Sequence, residues 1–408
     1  NNTYQDYLDN NSLTGSSTDS NEVRNTKGAP ASSFIPNEIR PYLAGTAGLT
    51  DTDWQDEIFR SAIYTNHTVS LSGGSDKVRY FVSGNYLNQE GVVISSGFKK
   101  YSSRLNLDVT SGKLHAGINI TPTYSVTDKV NSDGRYADEG IVAIALGMSP
   151  IFPVYNPDGS FNFSGNKDNG SATWTSLSQT NQVNPVAVAV LSQDELSQFN
   201  LLGNVFLEYE LIEGLKYKLS LGTDVNSFRR DFYRPAELEG RGTAGPSNPI
   251  GYSRTDQLIN WIAENTLNYS KYWDKHFVNA LVGYSAQKNQ LRSNELNATN
   301  FPNDLVETLN AGTVTDGETR VEEFSLLSYL TRVQYTYDGK YLFTGSIRAD
   351  GSSRFGAKNK WGYFPSVSFA WKAINESFLE DSNVFSDLRL RASYGVTGNF
   401  DIGNYAAQ

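Results

Sequence analysis

Residues 113–127 read Lys-Leu-His-Ala-Gly-Ile-Asn-Ile-Thr-Pro-Thr-Tyr-Ser-Val-Thr, and this stretch decides the fold. Leu114, Ala116, Ile118, Ile120, Pro122, Tyr124 and Val126 are apolar, while Lys113, His115, Asn119, Thr121, Thr123, Ser125 and Thr127 are polar, with Gly117 among them. Side chains of a strand point alternately to opposite faces, so unbroken period-2 alternation describes one strand with an apolar and a polar face. The same alternation recurs around Val78, Tyr80 and Val82, around Leu105, Leu107 and Val109, around Leu215, Tyr217, Leu219 and Leu221, and around Leu388, Leu390, Ala392 and Tyr394.

Working outward, the pattern predicts about twelve strands, at 66–73, 77–88, 99–110, 113–127, 199–211, 214–231, 252–270, 276–296, 320–337, 340–350, 361–373 and 387–397. Several are far longer than the roughly 5–6 residues usual in globular proteins. Connections alternate in length. Tight ones fall at 73–76, 110–112, 213–214, 272–275 and 338–339; long ones fall at 89–98, 128–198, 232–251, 297–319 and 351–360. Short turns at one end and long loops at the other mark an all-β, antiparallel outer-membrane barrel with its short turns in the periplasm. A soluble sandwich would show shorter strands, with turn signals every ~8–12 residues. Tyr335, Tyr337, Tyr341 and Phe343 flank the Asp338-Gly339 turn, where an aromatic girdle would meet lipid headgroups.

Composition agrees. Among 408 residues there are 24 Tyr, 21 Phe and 35 Gly, a mixture suited to strands and turns and opposed to disorder. The net charge of −10 argues against a nucleic-acid partner. The chain has no cysteine and three scattered histidines, so thiolate and histidine metal clusters are not expected, nor is any cofactor. The apolar stretch 140–148 is about half of the ~20 residues that a spanning helix needs.

Catalytic signatures do not assemble. Ser96 and Lys99 have S-x-x-K spacing without the companion motifs. Asp350 to Arg354 and Asn156 to Gly159 lack the ligand spacing of an ion loop and read as turns. Glu322 and Glu323 are adjacent on a strand and point to opposite faces. No enzyme is expected. The connection 128–198 is far longer than ordinary loops and carries aromatics among Asn, Asp and Gly, a composition able to stack sugars or grip peptides. Candidate contacts for cargo or a partner are Tyr136, Phe152, Tyr155, Phe161, Phe163 and Trp174, with Trp54 added from the segment before the first strand; a surface loop packed on itself is the alternative.

Particular strings carry a family resemblance. They are TDWQDEIFR at 52–60, VSLSGGSDK at 69–77, RYFVSG at 79–84, LNQEG at 87–91, RLNLD at 104–108, SIRADGSSRFG at 346–356, WGYFPS at 361–366 and LRASYGVTGN at 390–399. In this order they resemble the SusC/RagA class of TonB-dependent outer-membrane transporters of Bacteroidetes, from about Thr52 to the end of the chain. The resemblance implies a 22-stranded barrel closed by an N-terminal plug. It also implies energy coupling through TonB, ExbB and ExbD, a SusD-like surface lipoprotein partner, and an oligosaccharide or peptide cargo. Against the full family pattern the plug and the later strands are absent, so the chain is expected to be a piece of a transporter. Residues 1–65 then form an extracellular loop region, 66–398 a partial barrel set in outer-membrane lipid, and 399–408 the start of a further extracellular loop. Twelve strands would leave two unpaired edges. A secreted β-rich carbohydrate-active enzyme or adhesin is the alternative.

Overall fold

A computed structural model describes residues 21–26, 40–132, 140–163, 183–238, 248–379 and 384–405. Twelve strands form one antiparallel meander in chain order: β1 Tyr64–Gly74, β2 Val78–Glu90, β3 Gly97–Ser111, β4 Leu114–Asp128, β5 Gln193–Ile212, β6 Leu215–Arg234, β7 Ile250–Trp273, β8 His276–Thr299, β9 Thr313–Tyr337, β10 Tyr341–Ser352, β11 Trp361–Lys372 and β12 Arg389–Gly395. Among the described residues, β1 and β12 are paired on one side only, so the sheet is open.

Register sorts the side chains into two faces. Cross-strand partners share a face, and the row Tyr80, Leu107, Ile118, Val205, Leu221, Ala263, Ala286 and Leu327 is apolar from β2 to β9. The neighbouring row, Arg79, Asp108, Gly117, Phe206, Ser220, Glu264, Ser285 and Ser328, is mostly polar. Both rows start beside the tight turn in β2 and climb toward the long connections by β9, the stagger of tilted barrel strands.

The apolar face has a limited height. On β8, Val278, Ala280, Val282, Tyr284 and Ala286 give way to Lys288, Gln290 and Arg292 on the same face. That apolar run is about nine residues, the length a tilted spanning strand requires. Beyond it the ladder continues with polar residues on both faces. This is why β5, β8 and β9 extend past the ends read from alternation, with β9 starting at Thr313 rather than near 320.

Turns at one end follow local chemistry. Asp338 and Gly339 both take positive φ, 53° and 63°, as a type I′ hairpin demands. The expected aromatic cluster lies beside this turn on the apolar face. The His276 ring stacks on Trp273 at 5.5 Å and on Tyr335 at 5.9 Å, and Tyr337 faces Tyr341 at 6.4 Å. One connection at this end, 373–388, is not tight. Glu376 anchors its start, accepting from the Tyr341 hydroxyl at 2.7 Å, the Trp371 indole at 3.0 Å and Lys340 Nζ at 3.2 Å.

At the opposite end the connection between β4 and β5 is not bare loop. Its described residues contain two short helices, α4 Ile141–Gly147 and α5 Pro185–Leu191, while α1 Asn21–Thr26, α2 Arg40–Leu43 and α3 Trp54–Ile58 precede β1.

Candidate functional site: the cap and the polar wall

Three helices converge where the long connections emerge. Asp53 caps α3, its carboxylate accepting from the backbone N–H groups of Gln55 at 3.0 Å and Asp56 at 3.2 Å. The cap places Trp54 and Ile58, four residues apart, on one helical face. That face meets Ala145, Met148, Phe152, Val154 and Val186 in a dry cluster. A second cluster joins Val93, Ile141, Val183, Ala187, Val188, Ala189 and Leu238.

Asn184 organises the assembly. Fully buried, it caps α5 by accepting from Val186 N and Ala187 N at 3.1 and 3.2 Å. Its Nδ2 donates to the carbonyls of Val154 at 2.8 Å and Asn162 at 3.2 Å. All four polar sites of the amide are used, which removes the penalty of burying it. Pro185 follows at the first helical position, where no N–H is needed.

This arrangement divides the candidate contact residues. Trp54 and Phe152 are 3% and 8% exposed and pack in the cap core. Tyr155 is half exposed, and its ring lies 5.1 Å from that of Phe161 across a short β-bridge. Phe161 and Phe163 are partly buried against the second cluster. Tyr136 and Trp174 lie outside the described residues. Asn156 to Gly159 form the expected turn: Asp158 Oδ1 accepts from Ser160 N at 3.0 Å and Oγ at 2.6 Å, which holds the carboxyl below its usual range. Sequence reasoning missed the apolar exposure at the cap, where Val92, Leu146 and Val190 are exposed. Its signal was the apolar run around 141–147.

Below the cap the polar face is a hydrophilic wall whose charges are mostly internally paired. Asp108 Oδ2 meets His115 Nε2 at 2.8 Å, and the imidazole lies edge-on to Phe206 at 5.0 Å. Lys218 sits over the same Phe206 ring at 4.6 Å. Arg230 forks onto Asp194 at 2.7 and 2.8 Å, and Arg348 bridges Asp350 at 2.6 Å and Ser328 at 2.9 Å. Such a wall suits passage of a hydrated solute. Among the described residues no group of three or more His, Cys, Asp or Glu could hold a metal, and no nucleophile is paired with a base and an orienting group.

Comparison with known proteins gives the class. No family model matches the chain. "TonB-dependent receptor P3" of Formosa agariphila is 34% identical over 372 residues, covering 89% of this chain and 35% of that receptor. "TonB-dependent receptor SusC" of Bacteroides thetaiotaomicron is 29% identical over 385 residues, covering 89% of this chain and 36% of the receptor. Among solved structures, the RagAB peptide transporter aligns at 28% identity and a TM-score of 0.69, over 88% of this chain and 39% of that one. The RagAB importer in its open-open state aligns at 25% identity and a TM-score of 0.72, over all of this chain and 45% of that one.

The two-faced sheet with tight turns at one end is therefore part of the β-barrel of a TonB-dependent outer-membrane receptor. Within that class the chain belongs to the SusC/RagA-like family. It spans about a third of the length of the curated relatives it matches.

Proposed function

We propose that the receptor to which this chain contributes imports an oligomeric nutrient across the bacterial outer membrane, driven by TonB, and performs no chemistry on it. The observation that carries this reading is the alternation of apolar rows with mostly polar rows through the strands. The apolar rows suit lipid and the polar rows suit an aqueous lumen. The relatives are named receptors, and the solved ones are titled a peptide transporter and importer. Energy coupling would run from TonB with ExbB and ExbD through the plug that such receptors carry. The other strands of the receptor would pair with β1 and β12, because lipid does not tolerate open edges.

In this reading the tight turns are periplasmic and the cap is extracellular. Residues 1–65, which run into the first two residues of β1, belong to the extracellular side, because α3 packs into the cap there. So do residues 399–408 beyond β12. A SusD-like surface lipoprotein is the partner, and the exposed Val92, Leu146 and Val190 on the cap offer it apolar contact. The cargo is a glycan or a peptide. Deleting the receptor gene should abolish growth of the bacterium on one oligomeric nutrient, and a TonB deletion should reproduce the defect. Growth on glycan and peptide sources unaltered by the receptor deletion would refute the import reading.

A further inference from the structure

Chain that follows β12 does not leave the sheet but turns back across its polar face. Gly398 lies so close to the ring of Phe364 on β11 that a Cβ there would collide with it. Phe364 belongs to the polar-face row through Arg348 and Leu330. Six residues further on, Asn404 Nδ2 donates to Glu322 Oε2 at 3.0 Å, and the Tyr405 hydroxyl accepts from Glu323 N at 3.2 Å. Both of those residues are on β9, so the segment crosses from β11 past β10 to β9.

Arg354 fastens this crossing. It lies in the connection between β10 and β11, whose start is fixed on β9 by a reciprocal pair: Ser353 N to Ser325 O at 3.0 Å and Ser325 N to Ser353 Oγ at 2.9 Å. The Arg354 side chain is only 11% exposed. Its Nη1 donates to Asp401 Oδ1 at 2.6 Å and its Nε to Asn404 Oδ1 at 2.9 Å. Its guanidinium lies 4.0 Å from the Phe324 ring centre and 5.6 Å from that of Phe400. Planar stacking together with forked donation is what a guanidinium supplies and an ammonium does not.

We propose that Arg354 is a positioning residue that straps 398–405 across the polar face at the mouth of the passage and so limits the size of solute admitted beside β9 to β11. This rests on the reading that the polar face lines a passage, but its test needs no cargo movement. The chain has no cysteine, so a single thiol can be placed by Ser366→Cys, on the polar face next below Phe364. In the whole receptor on intact cells, that thiol is labelled with a small maleimide and with maleimide-polyethylene glycols of graded mass.

With Arg354 in place, the small reagent should react and the largest should be excluded. Arg354→Gln should raise the rate for the largest reagent at least tenfold while leaving the small one within twofold, and Arg354→Lys should fall between. Extracellular protease should also cut within 398–405 faster in Arg354→Gln. If Arg354→Gln left the size cut-off and the cleavage rate unaltered, or raised labelling by all sizes equally, the strap would not be what limits access. A failed growth test with the labelling result intact would remove the import reading and leave the strap.

Discussion

Trp54 donates its indole N–H to the carbonyl oxygen of Ser149 at 3.0 Å, joining segments 95 residues apart. Thr52 makes the same tie twice more, through its N–H to Pro150 O and its hydroxyl to Phe152 O, each at 2.8 Å. The segment before β1 is thus stitched to the connection after β4, and the cap is a folded unit over the strand ends.

Replacing Trp54 by Ala should cost the cap about 3–5 kcal/mol, the usual loss for a buried large aromatic. Trp54→Phe should cost about 1–2 kcal/mol, because the Ser149 carbonyl loses its donor while most of the packing stays. Both variants should still insert. Protease sensitivity within 129–192, compared with heat-modifiable mobility of the barrel, separates the two effects. Loss of the barrel itself in Trp54→Phe would contradict this division.

The barrel was legible in the sequence because lipid on one side and water on the other force period-2 alternation, as in 113–127. Strand ends were less legible for the same reason. Above Ala286 the outward positions Lys288, Gln290 and Arg292 meet water, so alternation fades although pairing continues to Thr299. The cap was illegible because its helices are five to seven residues long, too short to display a helical period. The Val-Ala-Val-Ala-Val run of α5 even mimics a strand. Trp54 and Phe152 read as candidate contacts because the cluster that buries them joins residues 54–58, 145–154 and 186, which are distant in sequence.

The assignment of faces has a direct test at two adjacent residues of β4. Ile120 lies on the apolar face between Leu105 and Gly203, and Asn119 on the polar face between Asn106 and Asn204. Ile120→Arg should destabilise the folded barrel by roughly 2–4 kcal/mol if it lies near the bilayer midplane, and Asn119→Arg by much less. Denaturant titration in lipid vesicles measures both. Equal costs would reject the assignment of lipid and lumen.

Tyr155 and Phe161 close a small hairpin of the cap. Exchanging 155–160 for a Gly-Ser linker of equal length removes the half-exposed Tyr155 ring and leaves in place Phe161, which packs against both cap clusters. Lipoprotein co-purification or nutrient uptake should fall at least several-fold while barrel insertion is unaltered. Unimpaired binding and uptake would show that this hairpin contacts neither partner nor cargo.

Glu376 gives a pH prediction at the opposite end. Its carboxylate accepts from the Tyr341 hydroxyl, the Trp371 indole and Lys340, and these contacts, the tyrosine's foremost, hold its pKa below the ordinary value of 4.5. A carboxyl depressed in the folded state binds its proton more readily when the connection 373–388 is detached. Its contribution is therefore complete above the ordinary carboxylate range and is lost as pH falls through the lower folded value. Lys340 is shifted upward by the hydrogen bond to Glu376, so its share is complete below the ordinary lysine range and disappears only as pH rises through the higher folded value. Backbone amide exchange at 374–379 should thus be slow from near-neutral to mildly alkaline pH and accelerate below about pH 4, after correction for intrinsic rates. Glu376→Gln keeps an oxygen able to accept from Tyr341 or Trp371 but has no proton to gain, so its corrected exchange should be flat across the acid range. An acid step of equal size in Glu376→Gln would assign the transition to another group.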